Sequence, residues 1–173
     1  SILADGLDQE RLALIQKIGE NISVRRAEMY NGEVACYVHT NAKIGVLVLM
    51  QGGNEKLGRD IAMHIAAANP QVVSPADTSQ SVLEKEREIY TAQAEETGKP
   101  AEIITKMVEG RIAKFLSEIS LTEQVFVKDP DLKISHLLSQ ANATVVSFSR
   151  YEVGEGIEKD TVDFASEVAQ QLA

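Results

Sequence analysis

The apolar positions of this chain switch repeatedly between a period near 3.6 and a period of 2, and the switches mark its elements. Over residues 7–20, Leu7, Leu12, Ile15 and Ile18 fall near one helical face, and Gly19 follows as a stop. Residues 21–30 (NISVRRAEMY) read as a short strand or extended segment leading into the turn signal Asn31-Gly32. EVACYVHT (33–40) alternates, with Val34, Cys36 and Val38 on one face and Ala35, Tyr37 and His39 on the other. Asn41-Ala42-Lys43 leads into IGVLVLMQ (44–51), β-branched and apolar on both faces, so the two runs predict an antiparallel hairpin. Gly52-Gly53 breaks the strand, and a helix is predicted over residues 55–69, stopped before Pro70. Its core stripe is Leu57, Ile61, Ile65 and Ala68. The alanines at 62, 66, 67 and 68 carry little bulk and let the helix approach a sheet closely.

Residues 78–120 show helical periodicity throughout. Ser81 and Glu84 have capping-box spacing and predict a helix running to about Thr97. Gly98 suits the position after a helix end, and Pro100 the first turn of a second helix. That second helix repeats Ile104, Val108, Ile112, Phe115 and Ile119 at spacings of three and four. Two helices of about 18 residues joined by Gly-Lys-Pro make an antiparallel hairpin roughly 27 Å long. Such a pair either lies on the core or projects as an arm that meets another subunit, because an apolar stripe does not identify what covers it.

Beyond the hairpin, LTEQVFVKDPDLK reads as a connection with an apolar Val-Phe-Val centre. KISHLLSQANA (133–143) predicts a short helix with Ile134, Leu137 and Leu138 inward. ATVVSFSRYEV (143–153) predicts a strand on which Val146 and Phe148 share a face. GEGIEK forms a Gly-rich turn, and TVDFASEVAQQLA a terminal helix with Val162, Ala165, Val168 and Leu172 on one side. Helices and strands alternating irregularly around a hairpin predict an α+β fold, an antiparallel sheet packed with helices and carrying an inserted antiparallel helical hairpin.

Composition narrows the function. The chain has 173 residues, 44% of them hydrophobic, enough to fill a core, and a net charge of −9 that opposes nonspecific phosphate binding. Direct contact with nucleic acid is not expected. No apolar window is long enough for a membrane span, and SILADGLDQERLA lacks the features of a secretory signal. The chain opens on Ser1 rather than Met, which fits a piece of a longer polypeptide. A lone cysteine, Cys36, excludes an internal disulfide and suits a reducing cytoplasm; its alternation with Val34 and Val38 reads as a buried small hydrophobe. Phosphate-loop, dinucleotide-binding, zinc-protease and serine-hydrolase motifs are all absent. Gly154-Glu155-Gly156 is flanked by glutamates that would repel a phosphate, so it reads as a turn. His39, His64 and His136 fall on separate elements without a carboxylate at ligand spacing, so no metal, cofactor or catalytic residue is expected. His64, at the margin of its helix's apolar stripe, reads as a packed histidine whose ring hydrogen-bonds backbone.

Several stretches together resemble the bacterial elongation factor Ts family, the guanine-nucleotide exchange factors of elongation factor Tu. They are KIGENISVRR (17–26), Tyr37–His39 with KIGVLV (43–48), IAMHIAAANP (61–70), KMVEGRIAKF (106–115), SLTEQVFVKDP (120–130) and RYEVGEGIEK (150–159), in family order over nearly the whole chain. The resemblance implies a sheet-and-helix core in two similar halves, an inserted helical hairpin and a small C-terminal module. It also implies an N-terminal domain and a Thr-Asp-Phe-Val motif, neither of which occurs in this sequence; Val162-Asp163-Phe164 falls in the C-terminal module instead.

On this resemblance, residues 1–31 correspond to a remnant of the first core half, 32–77 and 121–152 to the second half, 78–120 to a dimerisation arm and 153–173 to the C-terminal module. Ile18 and Gly19 resemble residues that touch the partner's nucleotide domain; His39, Val127 and Lys128 resemble residues that touch its third domain. Ile104, Val108, Ile112 and Phe115 become candidates for a homodimer contact. The expected function is nucleotide exchange on elongation factor Tu by a non-enzymatic cytoplasmic protein, in a fragment that binds but exchanges poorly. The competing expectation is a purely structural dimerisation fragment that engages no partner.

Overall fold

The computed structural model describes residues 2–156, so the predicted terminal helix and most of the C-terminal module lie outside the described residues. Two compact units divide between Tyr30 and Asn31. The first holds helix α1 (Ile2–Ile18), which begins earlier than the periodicity predicts. Gly6 lies inside it, a cost of about 1 kcal/mol that the surrounding helix tolerates. Gly19, at φ +81°, ends it in the left-handed region, its N–H bonded to the Ile15 carbonyl at 2.8 Å. Residues 21–30 join no sheet; Arg11 ties the segment to α1, its guanidinium donating to Ile22 O (3.0 Å) while pairing with Asp8 (2.7 Å).

The second unit is built on β1 (Glu33–Val38), β2 (Ile44–Gln51) and β5 (Thr144–Glu152), an antiparallel sheet in the order β1-β2-β5. Val46, Val48 and Met50 of β2 point to one face, where α2 (Glu55–Ala68) lays Leu57, Ile61 and Ile65 against them. Asn54 starts α2 by accepting the Leu57 N–H at 2.9 Å. The helix sits close to the sheet at Gly58, where an added Cβ would stand 2.8 Å from the Cβ of Ala35. Small residues therefore line the approach: Gly58 at this contact, and Ala62 and Ala66 buried in the same core.

That packing reverses one expectation. Ala35 and Tyr37 face the core, so Val34, Cys36 and Val38 face outward, and Cys36 is exposed rather than buried. Strict alternation defines two faces without saying which is inside; here the packing of α2 on one side, with Gly58 against Ala35, sets it. A second departure lies in β5. Leu49 pairs with Ser147 and Met50 with Val145, leaving Val146 as the extra residue of a bulge. Val145 and Phe148 therefore face the core, and Val146 is 55% exposed instead of sharing Phe148's face.

The helical hairpin is α3 (Gln80–Glu95) and α4 (Ala101–Ile119). Ser79, not Ser81, is the N-cap of α3, and Pro100 is the N-cap of α4 rather than a residue of its first turn. Gly98 turns the chain at φ +64°. At its base α4 is tied to the segment after α2: Ile119 O accepts from Gln71 N (2.8 Å), and Leu121 N donates to Val72 O (3.0 Å). The connection after α4 holds more structure than predicted, a tight helical turn (Leu121–Glu123) and a small ribbon of β3 (Val125–Phe126) and β4 (Asp129–Lys133). Helix α5 (Ile134–Gln140) then buries Ile134 and Leu138, with Leu137 half-buried beside them. The fold is α+β.

Candidate partner-binding surface

Phe126 pairs with Asp129, so Val127 and Lys128 alone make the tip of the β3–β4 ribbon. Phe126 is buried against the core, and Val127 stands 47% exposed. Beneath them lies His64 of α2, 1% exposed, whose Nδ1 accepts the Val127 N–H at 3.3 Å. Its Nε2 meets Gln124 Oε1 at 2.9 Å, and Gln124 Nε2 donates to Glu118 O at 2.7 Å. Burial pushes the His64 pKa down, and the Gln124 hydrogen bond opposes that shift. The ring also stands beside Phe126, centroids 6.2 Å apart. Lys128 pairs with Asp60, one turn before His64 on α2, at 2.6 Å. His64 is thus the packed, backbone-bonded histidine that its alanine-rich surroundings predict, and its bonding partner is the ribbon tip.

His39 follows β1 at the start of the β1–β2 turn. It is exposed, its N–H bonded to Ile44 O (2.9 Å) and its Nδ1 to the Tyr37 hydroxyl (3.0 Å). Ile18, 55% exposed, and Gly19 close α1 in the first unit. The structure therefore brings Val127 and Lys128 together on one tip, places His39 on another hairpin, and carries Ile18 and Gly19 on the other unit.

Within the chain, the four dimerisation candidates lie mostly inside the hairpin. Val108 and Ile112 are buried inside the hairpin with Ala94 of α3, and Leu83, Tyr90, Ile104 and Leu116 pack around them. Only Phe115 of the four candidates stands outside this cluster, half-buried. The periodic stripe is the seam between α3 and α4, because two neighbouring helices bury their apolar faces on each other first. Arg87 and Glu109 bridge the same pair of helices at the surface. The apolar residues the hairpin does expose, Val82, Ile89 and Ile103, lie off the stripe.

Arg150 was not singled out by pattern. Its Nε and Nη2 each donate to Ala66 O at 3.3 Å, and Nη2 also bonds Glu152 (2.7 Å). A cation near the C-terminal end of α2 satisfies a carbonyl there and suits the helix dipole. No composition signal marks such a residue, since the carbonyl it serves is distant in sequence. Among the described residues, no three His, Cys, Asp or Glu side chains are grouped to hold a metal ion, and no helix is long and apolar enough to cross a membrane.

Residues 4–155 match the family described as Elongation factor TS. Proteins named Elongation factor Ts from Hahella chejuensis, Teredinibacter turnerae and Pseudomonas aeruginosa are 62%, 53% and 51% identical to the chain. The matches cover 99%, 98% and 99% of this chain, and 60%, 59% and 60% of the respective relatives. The chain thus spans about 60% of the length of the curated relatives it matches.

Proposed function

Because the chain belongs to the elongation factor Ts family, we propose that it binds elongation factor Tu and weakens that partner's hold on GDP. The observation that carries this reading is the ribbon tip. Val127 offers an apolar side chain to solvent from a two-residue turn whose backbone is anchored from below. An exposed apolar group on a fixed support loses little entropy on binding. Val127 and Lys128, with His39, meet the partner's third domain, while Ile18 and Gly19 meet its nucleotide domain.

No bond is made or broken by this chain. It prefers nucleotide-free partner over the GDP form, and that difference in affinity drives release. By linkage, GDP weakens the chain's binding by the same factor as the chain weakens GDP binding. The net charge of −9 argues against nucleic acid as a direct ligand. The 173 residues hold no Thr-Asp-Phe-Val, the element that in this family helps disturb the partner's magnesium and nucleotide site. Losing a central aromatic anchor costs about 2 kcal/mol or more, roughly 30-fold. A polypeptide of this sequence therefore binds, and speeds release far less than a member carrying the motif.

The test is release of a fluorescent GDP analogue from elongation factor Tu with increasing chain. A weak, saturable acceleration is expected. Acceleration equal to that of a motif-bearing member would show the motif dispensable, and none at saturating chain would sink the exchange role.

A further inference from the structure

We infer that His64 is a positioning residue for the partner-facing ribbon: its ring fixes the backbone of the Val127–Lys128 tip in the form the partner meets. This rests on the assignment of that tip to partner binding.

The hydrogen bonds run in one direction. Gln124 Nε2 gives its hydrogen to Glu118 O, so Oε1 is the atom turned to the imidazole. An amide oxygen only accepts, so Nε2 of His64 carries the proton. Nδ1 is then left with its lone pair, which takes the Val127 N–H. Each group in this relay has a single role open to it. The tautomer of a buried histidine is thereby set by a carbonyl at the end of α4.

The tip needs such a support. Val127 and Lys128 both lie at negative φ, so the turn is not one of the primed types whose twist matches a hairpin. A ribbon this short is marginal by itself. Its two anchors, His64 to the Val127 N–H and Asp60 to the Lys128 ammonium, come from successive turns of α2, which is packed against the sheet. They hold the main chain and the lysine, and leave the Val127 side chain outward. An apolar residue in place of His64 would fill the space beside Phe126 but could not accept the Val127 N–H.

Two conservative variants of the full chain separate positioning from packing. In His64→Asn the side-chain oxygen takes the place of Nδ1 and still accepts from Val127; in His64→Gln the amide reaches Gln124 and leaves Val127 N–H without an acceptor. We expect His64→Asn to hold affinity for elongation factor Tu within about 3-fold, and His64→Gln to weaken it about 10-fold. The Val127 amide should exchange faster only in His64→Gln, and nitrogen shifts should report an Nε2–H tautomer in wild type. On a Val127→Ala background, His64→Gln should weaken binding no further. Equal losses in both variants, tracking thermal stability, would reduce His64 to a packing residue and overturn the inference. If wild type binds no elongation factor Tu, the functional reading fails on its own. Val127 exchange then decides this inference, and an unchanged amide in His64→Gln overturns it.

Discussion

Replacing Ile112 with alanine asks whether the stripe on α4 is an internal seam or a surface for another subunit. Ile112 is 5% exposed and, among the described residues, shares its cluster with two other buried residues, Val108 and Ala94. Removing a buried isoleucine side chain costs about 2–5 kcal/mol. Isolated helices of 16 and 19 residues are themselves marginal in water, so this cluster supplies much of what keeps α3 and α4 together. The sheet core is a separate cluster, built on β2, α2, α5 and β5. Ile112→Ala should therefore loosen the hairpin and spare the sheet. Hydrogen exchange read residue by residue should show protection lost over Gln80–Glu95 and Ala101–Ile119 and kept over Ile44–Gln51. Sedimentation should give the same mass for variant and wild type. The reasoning is refuted if wild type sediments as a dimer and Ile112→Ala as a monomer with hairpin protection intact, because the stripe would then face another subunit.

Three further outcomes follow from the packing. Arg150→Met should destabilise by about 1.5–3 kcal/mol in urea unfolding, and Arg150→Lys should restore little, since one ammonium cannot reproduce two guanidinium donors on Ala66 O; a loss under about 0.5 kcal/mol would discard the capping role. Burial holds the folded His64 pKa below the ordinary value of about 6.5, with the Gln124 bond opposing, so the unfolded chain protonates first as pH falls; the stability from neutral His64 is complete above about pH 6.5 and is lost as pH drops through that value toward the folded pKa. The charged groups beside it, Asp60 and Lys128, pair with each other, so wild type should lose more melting temperature from pH 7.5 to 5.5 than His64→Asn, and parallel curves would contradict this. Cys36, on the outward face of β1, should react with a thiol reagent in the native chain within about tenfold of the unfolded rate, whereas strong protection would mean that face is covered.

Much of this fold was legible because its elements are strongly periodic. IGVLVLMQ occupies β2 over the residues its β-branched run marks, and α2 ends where Pro70 requires. The failures share a cause: local pattern does not say what lies opposite. Val34, Cys36 and Val38 alternate with Ala35 and Tyr37, and the packing of α2 on one side, with Gly58 against Ala35, sets which of them face the core. Val146 left its predicted face through a bulge that no local signal announces. The α4 stripe was visible, but pattern did not say that within this chain its Val108 and Ile112 pack against α3. The ribbon was missed because β3 is two residues long, too short for a period, and β4 carries Pro130 within a mostly polar run. At the candidate site, exposure of His39 and Val127 could not be read from pattern, and the two residues acquired roles only through family resemblance. His64 could be placed in a packed helix, but its link to Val127 joins residues 63 positions apart and belongs to the tertiary structure.

The most direct measurement of the central claim is a binding isotherm of the 173-residue chain with elongation factor Tu, run with the partner nucleotide-free and again with saturating GDP, for wild type and for Val127→Asp. The account predicts measurable binding to the nucleotide-free form, weaker binding with GDP, and a loss of about 30-fold or more in Val127→Asp, where a charge replaces the exposed apolar contact. Equal affinity with and without GDP would contradict exchange by differential binding, and an unchanged isotherm for Val127→Asp would remove the ribbon tip from the interface.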